Sequence, residues 1–244
     1  MTAELLSFED IVELLSKLAP LQVVLIGGQA LNYWASVFEA AAPDLTKHGP
    51  YASKDIDFQG GGEDVSRSAE LLNAKVQALY KRHEDATICS GIVEYTARSG
   101  RKIQVDFLSD VGGLTKKEVV DGAWSVELSD GVRVPVMNPI HCLISRAYNV
   151  AELSGRDDAH GLNQLQAAVI CAREYLHLRA KQERRPALRI AEHLFDFACQ
   201  REARDIHSRH GIEVFDAVLA WPELGEAFAT NRYPQMLDAV RRAR

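Results

Sequence analysis

Ten residues in the first part of the chain, SKDIDFQGGG (53–62), place two carboxylates on one side of a predicted strand. Polar and apolar residues alternate through KDIDFQ, which predicts a strand that buries Ile56 and Phe58. Because side chains two residues apart lie on the same face of a strand, Asp55 and Asp57 share the other face. Strands are depleted in aspartate, and adjacent carboxylates repel each other. Either a bound cation compensates the pair, or the pair lies on a water-exposed face of the sheet.

A buried strand and two glycines precede this segment. LQVVLIGG is apolar and β-branched until it ends at Gly27 and Gly28, and QALNYWASVFEAA continues with helical character. Glycine lets the phosphates of a ligand approach the backbone, and a helix N-terminus offers unpaired N–H groups and partial positive charge. The pattern therefore indicates either a phosphate-binding turn or a plain tight turn between a strand and a helix.

A third carboxylate lies on a later strand. ATICSGIVEYTA and KIQVDFLSD, joined by a turn at RSGR, predict a β-hairpin. Val105 and Phe107 lie on the apolar face of its second arm, and Asp106 lies on the other face. If the strands pair in register, Asp106 meets Asp55 and Asp57. Three converging carboxylates suit Mg²⁺ (or Mn²⁺), and two such ions about 4 Å apart support an in-line displacement at phosphorus.

The rest of the chain predicts a division into two regions. EDVSRSAELLNAKVQALYKRH (63–83) has the spacing of one amphipathic helix, and WSVEL with VRVPVM predicts a short hairpin. Asn138 and Pro139 suit the N-cap and first position of a helix. Helices are predicted near 138–150, 160–182, 187–204, 213–220 and 233–243. The predicted fold class is α/β (α+β), with a small mixed sheet in residues 1–137 and an all-helical region in 138–244.

The motifs VLIGGQAL, SKDIDF and IQVDFL, in this order, resemble the polymerase-β-like nucleotidyltransferase superfamily, and most of all its AbiEii-type toxins and minimal nucleotidyltransferases. The resemblance covers residues 20–110. It implies that Asp55 and Asp57 are metal ligands that also contact the phosphates of the nucleotide. It implies Asp106 as the third ligand and the base for the acceptor, and Gly27 and Gly28 as the phosphate turn.

Further residues are connected to the resemblance less directly. Lys54 sits where a basic residue beside the triphosphate would be useful, although along the strand it points away from both aspartates. Arg146 is the nearest equivalent of a lysine that the family carries on a helix after the core, and Asp157 and Asp158 lie in the segment that follows. Asp110, at the exit of the strand that carries Asp106, is a rival third ligand.

The resemblance implies an enzyme that moves a nucleoside monophosphate from an NTP, ATP included, to an acceptor. The acceptor is tRNA, a small molecule or a protein, and the toxin branch of the family would imply an antitoxin partner. A non-catalytic or antitoxin-like binding protein on the same fold is the alternative. A Mg²⁺-dependent phosphohydrolase is a second enzymatic alternative, but no attacking aspartate or histidine motif supports it.

Composition and charge limit the location and the acceptor. No apolar run approaches the roughly 18 residues of a membrane span, and MTAELLSFEDIVELL predicts a first helix and not a signal peptide. We expect a cytoplasmic protein with no membrane partner. The net charge is −6, and the acidic excess lies in residues 1–150. This excess suits a cationic small-molecule acceptor, whereas a basic segment at 173–189 suits tRNA or is a solvated helix end.

Overall fold

The computed structural model describes residues 6–49, 55–80, 87–128 and 131–244. Its α-helices are α1 (Phe8–Leu18), α2 (Gly27–Phe38), α3 (Gly62–Leu72), α4 (Lys116–Asp121), α5 (Pro139–Glu152), α6 (Ala159–Gln182), α7 (Arg184–Ala198), α8 (Arg201–His210) and α9 (Tyr233–Ala243). Its strands are β1 (Val24–Ile26), β2 (Asp55–Gln59), β3 (Lys75–Leu79), β4 (Cys89–Thr96), β5 (Lys102–Leu108), β6 (Trp124–Glu127) and β7 (Arg133–Val136). Short 3-10 helices are Ala19–Leu21, Pro43–His48, Val214–Ala217 and Pro222–Leu224, and Phe228–Arg232 forms a π-helix.

The chain divides into two compact units. The first consists of Met1–Tyr33 and Tyr51–Asn138, and it contains all seven described strands. The second consists of Trp34–Pro50 and Pro139–Arg244, and its described residues are helical or irregular. The sequence predicts a boundary between two folding domains, 1–137 and 138–244, and this domain division stays a prediction. The mixed α/β class is confirmed.

The first unit is built on one mixed sheet with the strand order β3-β4-β5-β2-β1-β7-β6. The pairs β2–β5 and β1–β7 are parallel, and the other pairs are antiparallel. Strand β2, which carries the two aspartates, therefore lies in the interior of the sheet between β1 and β5. An interior position holds a strand by hydrogen bonds on both sides, which makes it a rigid carrier for functional side chains.

One face of this sheet forms the core of the first unit. Ile56 and Val105 are 0% exposed, and the rings of Phe58 and Phe107 stack at 5.7 Å. Helix α3 packs against β4 and β5 and also contacts α1. The predicted alternation of apolar and polar faces is confirmed for both β2 and β5, since the residues between these apolar positions are only half-buried.

Helix α1 is anchored by its polar residues. It begins after Ser7, whose hydroxyl accepts from the backbone N–H of Asp10 at 3.1 Å, as the sequence predicts. The hydroxyl of Tyr95 donates to Glu13 at 2.5 Å, and that of Ser99 donates to Asp10 at 2.8 Å. These two bonds connect α1 to β4 and to the turn after it.

The single helix predicted over 63–83 is wrong. Helix α3 ends at Leu72, where Asn73 adopts a left-handed φ of 47° and caps it. Residues Lys75–Leu79 form β3, which pairs antiparallel with β4 at the edge of the sheet. Val76 fits a helical spacing and a strand alternation equally well, so pairing with β4 decides the structure. Residues 81–83 lie outside the described residues.

The second unit is organised around the long helix α6. Asp158 caps it by accepting from the N–H of Gly161 at 2.7 Å, and α5 and α7 pack along it. Trp34, in the C-terminal half of α2, packs edge-on against Tyr175 of α6. The helix predicted over 187–204 is interrupted, because Gln200 is extended between α7 and α8. No helix in the described ranges is long and apolar enough to cross a membrane.

Candidate active site

The three predicted carboxylates share one face of the sheet. Asp57 of β2 is the register partner of Asp106 on the parallel strand β5, and Asp55 is the partner of Gln104. Because paired residues of neighbouring strands point to the same side, Asp57 and Asp106 are neighbours across the strands, and Asp55 is on the same side one step along β2. The opposite face carries the apolar core. The register therefore brings the three residues together at the half-buried face of the sheet.

The glycine turn reaches the same place. Gly27 directly follows β1, whose last residue, Ile26, is the register partner of Asp57. Its φ is +67°, and a Cβ at this position would lie 2.1 Å from Oδ2 of Asp57. Glycine is therefore required at position 27 for two reasons: the backbone is left-handed, and the carboxylate of Asp57 leaves no room for a side chain. Gly28 follows in the first turn of α2, whose leading N–H groups have no intrahelical acceptor.

Asp106 is held by a residue that the sequence reasoning did not single out. The side-chain amide of Gln104 donates to both carboxylate oxygens of Asp106, at 2.9 and 3.1 Å. Burial raises the pKa of Asp106, the hydrogen bond from Gln104 opposes that rise, and the charge of Asp55 adds to it. The alternation of β5 puts Gln104 on the same face as Asp106, so its position two residues before an aspartate was the available signal.

The donor set and the backbone register fit a divalent metal, but the side chains are not arranged as a ready metal site. Adjacent strands lie about 4.8 Å apart, so rotation of the side chains can direct three carboxylates to one cation. Carboxylate oxygens are the ligands that Mg²⁺ and Mn²⁺ prefer. Among the described residues, no three His, Cys, Asp or Glu side chains already form a group that could hold a metal.

A buried amide extends the same face of β2. Gln59 is only 4% exposed, and neither polar atom of its side chain has a hydrogen-bond partner within the described residues. It lies two residues beyond Asp57, between its register partners Val24 and Leu108. An unsatisfied buried amide is costly and calls for a water or a bound group. The alternation that identified the aspartates also placed Gln59 here, but its burial could not be foreseen from composition.

The remaining predicted residues are placed differently. Asp110 lies beyond the end of β5 and accepts from the hydroxyl of Ser109 at 2.7 Å, outside the row formed by Asp57 and Asp106. Lys54 lies outside the described residues, so its predicted role at the nucleotide stays a prediction.

Arg146 belongs to α5 of the second unit. There it lines a small cavity of about 40 Å³ together with Arg156 and Asp158. Asp158 is also the N-cap of α6, and Asp157 is 3.9 Å from Arg209, so both have structural roles. The predicted contact of Arg146 with a nucleotide stays a prediction.

Comparison with protein-family models gives no match, and no curated protein matches the chain. The crystal structure of an antigenic nucleotidyltransferase-like protein from Paracoccidioides brasiliensis is similar with a TM-score of 0.44 and 12% identity, over 68% of this chain and 78% of that one. The crystal structure of the Megavirus polyadenylate synthase is similar with a TM-score of 0.42 and 13% identity, over 96% of this chain and 48% of that one. The chain thus spans about half the length of the viral protein.

Proposed function

We propose that this protein is a divalent-metal-dependent nucleotidyltransferase with a polymerase-β-like core. It transfers a nucleoside monophosphate from an NTP to an acceptor and releases pyrophosphate. The observation that carries the proposal is the register of β2 and β5, which aligns Asp57 with Asp106 on the face that also carries Asp55. The contact between Gly27 and Asp57 supports it, because it puts a glycine turn at a helix N-terminus beside these carboxylates.

Each residue has a distinct role in the proposed reaction. Asp55, Asp57 and Asp106 would hold Mg²⁺ or Mn²⁺, which when bound activates the attacking oxygen and stabilises the leaving one. The backbone N–H groups at Gly27 and Gly28 would bind phosphate oxygens of the NTP. Asp106 is proposed as the base that accepts the acceptor's proton, since its carboxylate lies on the same face of the sheet as Asp57.

The acceptor is proposed as a class only. The basic segment suits tRNA, the acidic excess suits a cationic small molecule, and a protein is the third class of acceptor. Lys54 and Arg146 are proposed to contact the nucleotide. In the basic segment, Arg173 is 3.0 Å from Glu174 and Arg179 donates to Gln182, so counter-groups already satisfy two of its cations. The toxin–antitoxin reading adds an antitoxin partner to this proposal.

Transfer of label from an NTP tests the proposal. The full chain is incubated with α-³²P-labelled NTPs, Mg²⁺ or Mn²⁺, and separate pools of tRNA, aminoglycosides and protein. We expect incorporation into one pool, and its loss by orders of magnitude in Asp57→Asn, because the carboxylate acts on charge that develops in the transition state. Asp44→Asn, at an exposed carboxylate paired with Lys47, is the matched control. Label transfer that survives Asp57→Asn unchanged would refute the assignment.

A non-catalytic, antitoxin-like binding protein on the same fold is the second candidate. Such a protein would keep the fold and the three carboxylates but would bind a partner without transferring a nucleotide. Thermal unfolding with NTP and Mg²⁺ separates the two candidates. A working site stabilises the fold by RT ln(1 + [L]/Kd), whereas a scaffold that binds no nucleotide gives no shift.

A further inference from the structure

The side-chain amide of Gln104 is bound to a carboxylate that the proposed function assigns to the metal. Its nitrogen donates to one oxygen of Asp106 at 2.9 Å and to the other at 3.1 Å, so it lies almost equally far from both. A cation that a carboxylate binds with both oxygens takes the same position relative to that carboxylate. The amide nitrogen therefore lies where an ion chelated by Asp106 would lie.

The strand register also puts this amide beside the first aspartate of β2. Gln104 is the register partner of Asp55 on the parallel strand, and Asp106 follows two residues later on the same face of β5. The charge of Asp55 raises the pKa of Asp106, so the two carboxylates are close enough to interact. A cation shared by these two aspartates would therefore compete with the amide for the same space.

A second acceptor for the amide lies on the other side of β5. Gln104 is also the register partner of Glu94 on the antiparallel strand β4, and residues paired in this way have Cβ atoms about 4.5–5.5 Å apart. Lys102 donates to one oxygen of Glu94 at 2.9 Å, and an ionised carboxylate has about four acceptor positions. Glu94 can therefore accept from the amide of Gln104 when that amide leaves Asp106.

We propose that Gln104 is a positioning residue that competes with the divalent ion for Asp106. This inference rests on the proposed function, because it takes Asp106 as a metal ligand. In the metal-free protein the amide of Gln104 holds the carboxylate of Asp106. When the ion binds, the amide leaves Asp106 and donates to Glu94. Gln104 thereby lowers the affinity of the site for the ion.

The sign of one measurement separates competition from plain support. If the amide only oriented Asp106 for the ion, removing the amide would weaken ion binding. If the amide competes with the ion, removing it strengthens ion binding, because hydrogen bonds to an ionised carboxylate no longer have to be broken first. The two roles therefore predict opposite changes in the dissociation constant of the ion.

Mn²⁺ binding to the full chain, without nucleotide, provides this measurement. The free ion is quantified by electron paramagnetic resonance at pH 8, well above the ordinary pKa of a carboxyl group. Gln104→Met keeps the length of the side chain and removes the amide, and it should bind Mn²⁺ about tenfold more tightly, the value of one hydrogen bond to a charged group. Gln77→Met, at an exposed position of β3, is the matched control and should bind as the unmodified chain does.

Glu94→Met tests where the amide goes. This substitution removes a negative charge in any background, but only in the presence of Gln104 does it also remove the acceptor of the displaced amide. It should therefore weaken Mn²⁺ binding more in the unmodified chain than in Gln104→Met, as a double-mutant cycle measures. Equal effects in the two backgrounds would refute the transfer of the amide to Glu94.

The remaining outcomes distinguish this inference from the proposed function. Mn²⁺ binding by Gln104→Met that equals or falls below that of the unmodified chain would overturn the competition, and so would an absence of Mn²⁺ binding from both proteins. Tighter binding by Gln104→Met in a chain that transfers no label from NTP would support the competition and refute the transferase. Label transfer lost in Asp57→Asn, with unchanged Mn²⁺ affinity in Gln104→Met, would support the transferase alone.

Discussion

Replacing Gly27 with alanine tests the geometry on which the candidate site depends. The new methyl carbon would start 2.1 Å from Oδ2 of Asp57, and such contacts are essentially never shorter than 3.0 Å, so the carboxylate must move by about 1 Å. Alanine at a φ of +67° also costs about 1–2 kcal/mol of stability. A displacement of about 1 Å in a group that positions the reaction costs about 100-fold in rate.

Gly211→Ala is the matched control for this change. Gly211 has the same φ of +67°, but a Cβ there meets no atom within 4 Å. Both variants should lose stability in denaturant unfolding, with the larger loss in Gly27→Ala. Only Gly27→Ala should lose about two orders of magnitude in NTP-dependent label transfer and weaken Mn²⁺ binding in the presence of an NTP analogue. A folded Gly27→Ala protein with the transfer rate of Gly211→Ala would show that the glycine turn does not position a reacting carboxylate.

Three further substitutions should change the free energy of unfolding in a direction that the structure determines. Because burial raises the pKa of Asp106, the folded chain binds more protons than the unfolded chain, and stability falls as pH rises through this titration. Asp106→Asn should therefore stabilise the metal-free protein against urea at neutral pH. A lower free energy of unfolding in this variant would show that burial does not disfavour the ionised carboxylate. Tyr95→Phe should cost about 1.5–3 kcal/mol at neutral pH, because it removes a hydrogen bond to the ionised Glu13. Since Tyr95 lowers the pKa of Glu13, this cost should vanish as pH falls well below 4.5, and a cost independent of pH would count against it. Gln59→Met should raise the free energy of unfolding by about 1 kcal/mol, since it replaces an unsatisfied amide with a side chain of similar size; a clear loss in urea unfolding would instead show that the amide is satisfied by a bound water.

Local pattern was enough to predict much of the first unit. An alternation with a period of two placed Ile56 and Phe58 on the buried face of β2 and the aspartates on the other, and the structure confirms it. The cap at Ser7 was equally readable, because a hydroxyl at an N-cap bonds to a backbone N–H within its own turn. These features depend on residues within a few positions of each other.

Patterns that fit two structures were settled by tertiary contacts. Lys75–Leu79 is a strand because β4 offers it an edge to pair with, although its apolar residues also continue the spacing of α3. The break at Gln200 between α7 and α8 has no glycine or proline to announce it. In both cases the competing local structures are close in free energy, and packing makes the difference.

The candidate site divides in the same way. The sequence by itself determined that Asp55 and Asp57 share a face, since that follows from the pleat of a single strand. Only the tertiary structure decided that Asp106 is aligned with Asp57, that Gly27 presses on the same carboxylate, and that Gln104 holds Asp106. Strand register and backbone contact between distant segments depend on the packing of the whole sheet, and no local window of sequence contains that information.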